Sequence, residues 1–236
     1  MRFLVFQHLD VEHPGVFREF WDDAGHEWVG VELDAGEPIP SLDGFDRLVV
    51  MGGPMDVWQE DEHPWLKPEK EAIRTWVQTL GRPYLGVCLG HQLLAAALGG
   101  EVGMMARPEV GLSTVSLTDA GVADPVLGTL SQPFLTFQWH GAEVARPPEG
   151  AVVLAANAAC PVQALRWGRH AYGLQFHMEI GPASVGEWRA VPAYAASLEQ
   201  ALGAAGAAAL DDTLAPHWPT FRASAQGLER ALAALS

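Results

Sequence analysis

Over its first hundred residues the chain alternates short apolar runs with amphipathic segments, and this alternation limits the fold more than any other property. Leu4-Val5-Phe6 reads as a buried strand. Val16, Phe17, Phe20, Trp21 and Ala24 follow at helical spacing, with Gly25 as a stop. Trp28-Val29-Gly30-Val31 and Leu48-Val49-Val50-Met51 are further strands, the second ended by Gly52-Gly53-Pro54. An acidic, Trp-containing loop over 55–68 leads to a second amphipathic helix marked by Ala72, Ile73, Trp76, Val77 and Leu80, closed by Gly81. Pro83-Tyr84-Leu85-Gly86-Val87 is a fourth strand, and it runs into a helix over 91–98 stopped by Gly99-Gly100. The pattern predicts an α/β fold, an open, mostly parallel sheet with helices on both faces.

After about residue 105 the pattern becomes strand-rich, with strands expected at 110–117, 134–137, 152–155, 162–167 and 171–176. Only Gly168-Arg169-His170 separates the last two, which predicts an antiparallel hairpin and makes the sheet mixed. From Ala190 onward there are 16 alanines in 47 residues, and helices broken at Gly203, Gly206, Pro216 and Pro219 are expected. The expected organisation is a single domain over 1–190 with an Ala-rich helical extension over 191–236, either an appendage of that domain or an oligomerisation surface.

Composition removes several function classes. At 49% hydrophobic and 18% charged residues, the chain is globular rather than disordered. Its 29 acidic and 14 basic residues give a net charge of −15, which argues against binding nucleic acid or an anionic membrane surface. No apolar run approaches the ~20 residues of a membrane helix, and the first ten residues lack a signal-peptide core. Two cysteines, Cys88 and Cys160, do not make a disulfide scaffold, so a cytoplasmic location is expected.

Chemistry concentrates at Gly86-Val87-Cys88-Leu89-Gly90, a G-x-C-x-G turn between a strand and a helix. Such a turn holds a nucleophile at the end of the sheet, where open α/β sheets bind ligands. It also places the thiol at a helix N-terminus, which favours thiolate. His177-Met178-Glu179 supplies a base and a carboxylate to orient it, because residues i and i+2 of an extended segment share a side. Gly52-Gly53-Pro54 can present a bare N–H to an oxyanion, and the Leu89 N–H is a natural second donor.

With these motifs the chain resembles the class I (triad) glutamine amidotransferases over about residues 1–190. Gly-Val-Cys-Leu-Gly-His-Gln (86–92) is similar to their nucleophile turn, Gly-Leu-Gln-Phe-His-Met-Glu (173–179) to their terminal His-x-Glu segment, and Gly52-Gly53-Pro54 to their oxyanion strand. The nearer resemblance is to stand-alone domains related to the amidotransferase domain of GMP synthase, a group that includes γ-glutamyl peptidases. The resemblance implies a flavodoxin-like single domain with Cys88, His177 and Glu179 as catalytic triad and Gly53 and Leu89 as oxyanion hole. It implies substrate contacts from Gln92 and from a loop at Trp139-His140-Gly141. Many relatives carry Asp after that Gly, whereas this chain has Ala142 and then Glu143, and Met178 replaces a common Pro. No metal or organic cofactor is implied. The expected partners are glutamine or a γ-glutamyl compound and a separate synthetase subunit that accepts ammonia.

Among the nine histidines no H-E-x-x-H or Cys/His ligand spacing occurs. His8, His13, His26, His63, His170 and His217 read as surface or hydrogen-bonded structural residues, and His91 has no assigned chemistry. Cys160 reads as a packed thiol, Glu60-Asp61-Glu62 as a solvated loop, and Trp58 and Trp65 either as pocket lining near Gly53 or as loop anchors. Two activities remain open, release of ammonia to a partner and independent hydrolysis of γ-glutamyl amides. A retired binding or regulatory module has no need of all three triad residues. A Cys hydrolase of the α/β-hydrolase type would carry its acid before the His, and DJ-1-like folds lack the His-x-Glu segment.

Overall fold

The computed structural model describes residues 1–235. It is a single-domain α/β fold built on one curled, mixed nine-stranded sheet with spatial order β2-β1-β3-β4-β9-β8-β7-β5-β6. β1 (Arg2–Gln7), β2 (Glu27–Glu32), β3 (Arg47–Val50), β4 (Tyr84–Val87) and β9 (Ala171–Leu174) run parallel. β5 (Glu101–Leu117), β6 (Phe134–Arg146), β7 (Ala151–Ala156) and β8 (Ala164–Trp167) complete the sheet with antiparallel pairings. The hairpin expected at 168–170 joins β8 to β9.

The parallel strands are apolar on both faces, and their residues divide by parity. Phe3, Val5, Val49, Met51, Leu85 and Val87 point to one core layer, beneath α1 (Val16–Asp23) and α7 (Trp218–Ala233). Leu4, Phe6, Leu48, Val50 and Tyr84 point to the other, beneath α2 (Leu66–Arg74) and α3 (Leu89–Ala97). A period of two with both faces apolar is what a strand covered by helices on each side requires. The short α4 (Asp119–Val122) lies beside β7. A third apolar cluster joins β6 to α5 (Ser184–Arg189) and α6 (Pro192–Leu214) through Phe137, Trp139, Trp188, Tyr194 and Leu198.

Several boundaries differ from expectation. The acidic loop ends at Trp65, because Pro68 lies in the first turn of α2, where its missing N–H costs no intrahelical bond. Thr75–Leu80 continues α2 as a π-helical stretch, closed by Gly81 at φ 61°. β5 and β6 are far longer than the sequence suggests: much of β5 is exposed and carries little apolar signal, while β6 is largely buried but places polar residues such as Thr136, Gln138 and His140 inside, which breaks the apolar run. In the tail, Gly203 interrupts α6 with φ 67°, whereas Gly206 sits within it. Pro216 belongs to a 3-10 turn and Pro219 to the first turn of α7.

The C-terminal helices share the core. Ala225, Leu228 and Leu232 of α7 enter the layer formed by Phe3 and Trp21. Beneath them Arg47 of β3 holds Glu229 of α7 through two bonds of 2.7 and 2.9 Å, both side chains buried. Among the described residues no helix is long and apolar enough to cross a membrane.

Candidate active site

Four adjacent parallel strands, β1, β3, β4 and β9, end at the same edge of the sheet, and the site is assembled from the residues that follow them. Cys88 follows β4 with φ 53°, the one non-glycine residue in the left-handed region among those described. The turn tolerates this strain because Gly86 and Gly90 are packed too closely for side chains. A Cβ at Gly86 would lie 2.4 Å from the Gly90 carbonyl oxygen, and one at Gly90 2.1 Å from that of Val50. The Cys88 N–H donates to the Leu174 carbonyl at 2.7 Å, which ties the turn to β9. Cys88 stands at the N-cap position of α3, with no side-chain capping bond.

Because β9 lies beside β4, the segment after it emerges next to the thiol. Gln175 Nε2 is 3.7 Å from Cys88 Sγ, and the Trp139 carbonyl oxygen is 3.9 Å from it. His177 Nδ1 is 2.6 Å from Glu179 Oε1, both residues buried. Burial pulls the His177 pKa down, but Glu179 and the neighbouring Cys88 outweigh it and hold the imidazole well above its ordinary value. Nε2 of His177 is buried without a hydrogen-bond partner. Glu179 Oε2 accepts from the Met178 N–H at 3.0 Å, and the Glu179 carbonyl accepts from the Val16 N–H at 2.7 Å. Both of its ends are thus fixed.

A cleft of about 260 Å³ opens beside Cys88. Gly53, Gln92, Trp139, His140 and Gly141 all line it, so those sequence-expected residues converge. Gln92 Nε2 donates to the Ala142 carbonyl and to Gln175 Oε1, both at 3.0 Å. Trp139-His140-Gly141 lies within β6 and is not a loop. The excursion is on the partner strand, where the register jumps between Met104 and Glu109 opposite Gly141. The His140 ring is engaged by the Ala142 carbonyl at 3.0 Å and by Glu109 Oε2 at 3.4 Å. Neither Trp58 nor Trp65 lines the cleft. Glu143 does not line it either, whereas Asp56 does.

A model of the family "Glutamine amidotransferase class-I" matches residues 24–187. The chain belongs to the class I glutamine amidotransferases. This amidotransferase domain is 33% identical over 184 residues to the glutamine amidotransferase-like protein YfeJ of Salmonella typhimurium, covering 76% of each chain. It is 37% identical over 158 residues to one subunit of the glutamine-hydrolyzing GMP synthase of Sulfolobus acidocaldarius, covering 65% of this chain and 79% of that one. A glutamine amidotransferase of Thermotoga maritima has the same fold, with TM-score 0.87 and 26% identity over 98% of both chains.

Residues without a sequence motif complete the amidotransferase site. Tyr194 and Ser197 of α6 line the cleft, and Ser197 Oγ accepts from Trp139 Nε1 at 2.7 Å. The Tyr194 hydroxyl donates to buried Glu12, whose carboxyl burial pushes up against the opposing pull of His177 and Tyr194. Spacing could not have revealed these, because Glu12 and Tyr194 are 182 positions apart. His8 is buried beside Gly52. His91 is buried against Gly173, and burial takes its pKa to about 3. Burial likewise pushes the Cys160 thiol up to about 12, an inert packed group. No cluster of three or more His, Cys, Asp or Glu fit for a metal occurs among the described residues.

Proposed function

We propose that this chain hydrolyses the γ-amide of glutamine with Cys88, His177 and Glu179. The observation that carries the reading is a buried imidazole, oriented by Glu179 and with Nε2 unused, beside a thiol at a helix N-terminus. The Cys88 thiolate attacks the γ-carbonyl and forms a tetrahedral intermediate, whose oxyanion is bound by the N–H groups of Gly53 and Leu89. His177 gives its proton to the leaving nitrogen, ammonia departs, and a γ-glutamyl thioester remains. Water then attacks, His177 takes its proton, and the thiolate leaves as glutamate forms. Gln92 and the Trp139–Gly141 backbone contact the bound glutamyl group. The ammonia passes to a separate synthetase chain, a reading supported by the Sulfolobus relative, which is named as one subunit of a GMP synthase.

The cleft wall favours a second reading within the same chemistry. Met55, Met104, Pro108 and Val110 line it, and no Lys or Arg does. An apolar wall suits a leaving amine larger than ammonia, so γ-glutamyl peptides are the alternative substrates. Glutamate release by the purified chain, with glutamine and a γ-glutamyl dipeptide in parallel, separates the two. Release lost in Cys88→Ala supports the catalytic assignment, and turnover retained in that variant overturns it.

A further inference from the structure

We propose that His8, anchored by Glu69, is a positioning residue that aims the Gly53 N–H towards the reacting carbonyl. The proposal rests on the reading of Gly53 as an oxyanion donor. A trans peptide carries its C=O and N–H on opposite edges, so whatever holds the Gly52 oxygen sets the direction of the Gly53 N–H. Two glycines flank this plane and leave it free to rotate. Side chains are excluded there: a Cβ at Gly52 would lie 2.6 Å from Glu12 Oε2, and one at Gly53 2.6 Å from Met55 Sδ. The sheet fixes the chain as far as Met51, whose N–H donates to Phe6 at 3.0 Å and whose carbonyl accepts from Gly90 at 3.1 Å. Beyond it the next anchor is His8 Nδ1, 2.8 Å from the Gly52 carbonyl oxygen.

The His8 ring is itself held on every side. Nε2 is 2.8 Å from Glu69 Oε1, and Trp65 stacks on the ring with centroids 5.3 Å apart. His8 and Glu69 are both fully buried. Each ring nitrogen faces an acceptor, so both carry protons and the ring is an imidazolium paired with Glu69. Burial opposes that charge, yet Glu69 and the Gly52 carbonyl hold the pKa above its ordinary value. No nitrogen remains to move a proton to substrate, so the ring acts only through the peptide it orients.

The test compares the full chain with His8→Leu, His8→Gln and His8→Asn. Asn places a donor near the Nδ1 position, Gln near the Nε2 position, and Leu none. The readouts are kcat and KM for glutamate release, iodoacetamide alkylation of Cys88, and the Gly53 amide signal in 15N NMR. His8→Leu should lower kcat about 10²-fold with KM little changed, the scale of losing one oxyanion donor. It should also move the Gly53 signal and leave alkylation unaltered. His8→Asn should recover most of kcat and the original signal. Should Leu prevent folding, His8→Gln makes the same comparison, because it keeps the bond to Glu69 and loses the one to Gly52. A Gly53 signal that stays in place in the Leu or Gln variant overturns the proposal. So does an Asn variant as impaired as these, or alkylation falling in step with kcat. If the unmodified chain releases no glutamate, the catalytic reading fails, while the Gly53 signal still decides whether His8 sets the peptide.

Discussion

Two buried histidine–glutamate pairs stand at the edge of the sheet where β1 and β9 end, built from the same groups at the same depth. His177 and Glu179 are two residues apart with nitrogen and oxygen at 2.6 Å, and His8 and Glu69 are 61 apart at 2.8 Å. They differ at the second ring nitrogen. In His177 it is unpartnered and close to the thiol, and in His8 it is bonded to the Gly52 carbonyl. An imidazole with a vacant nitrogen beside a nucleophile can carry a proton, whereas one with both nitrogens bonded can only hold a neighbour in place. Residue type and burial therefore do not assign a histidine's work. The partner on each nitrogen does.

Breaking one pair at a time tests that contrast. The largest effect on rate is expected for His177→Ala, which should lower kcat by roughly 10³–10⁴-fold because a proton carrier is lost, and should also lower Tm because Glu179 is left buried without its partner. A rate within tenfold of the parent would remove His177 from the chemistry. Next in size is Glu69→Leu, expected to cost about 3–5 kcal/mol of stability in denaturant titration, since it removes one partner of a buried ion pair and leaves His8 Nε2 unbonded. A loss under about 1 kcal/mol would mean that the pair is not charged. Glu179→Gln should lower kcat by about 10²-fold or more while Cys88 still reacts with iodoacetamide, because the helix N-terminus remains.

The pH dependence of stability sharpens the comparison further. Both histidines have folded-state pKa values above the unfolded one. The folded state therefore binds more protons between the two values, and stability falls as pH rises through that window. The contribution is fully present below pH ~6.5. His8→Asn should flatten the decline in Tm above that pH, and an unchanged slope would place the linked proton elsewhere. The smallest effect is expected for Tyr194→Phe, which removes the hydroxyl bonded to Glu12. About 1–2 kcal/mol of stability should be lost, with a several-fold rise in KM, and an unchanged KM would mean that α6 covers the cleft without shaping it.

The sheet shows a similar division in what can be read without coordinates. β1, β3 and β4 are legible because strands apolar on both faces leave continuous runs such as Leu48-Val49-Val50. The full length of β5 and β6 is not, because β5 is half in solvent and needs no apolar pattern, and β6 buries polar side chains among its apolar ones. Trp139–Gly141, a loop by family resemblance, lies within a strand, and the register jump falls on the strand opposite.

The sequence by itself determined the alternating α/β fold, the strained turn at Cys88 and the pairing of His177 with Glu179. Each depends on residues within a few positions of one another, where backbone geometry is local. The tertiary structure alone decided that β9 lies beside β4 and brings His177 to Cys88. It also decided that Tyr194 reaches Glu12 across 182 positions and that His8 finds Glu69. Such contacts follow from strand order and helix packing across the whole chain. No spacing records them, because the intervening residues can vary in number without moving either partner.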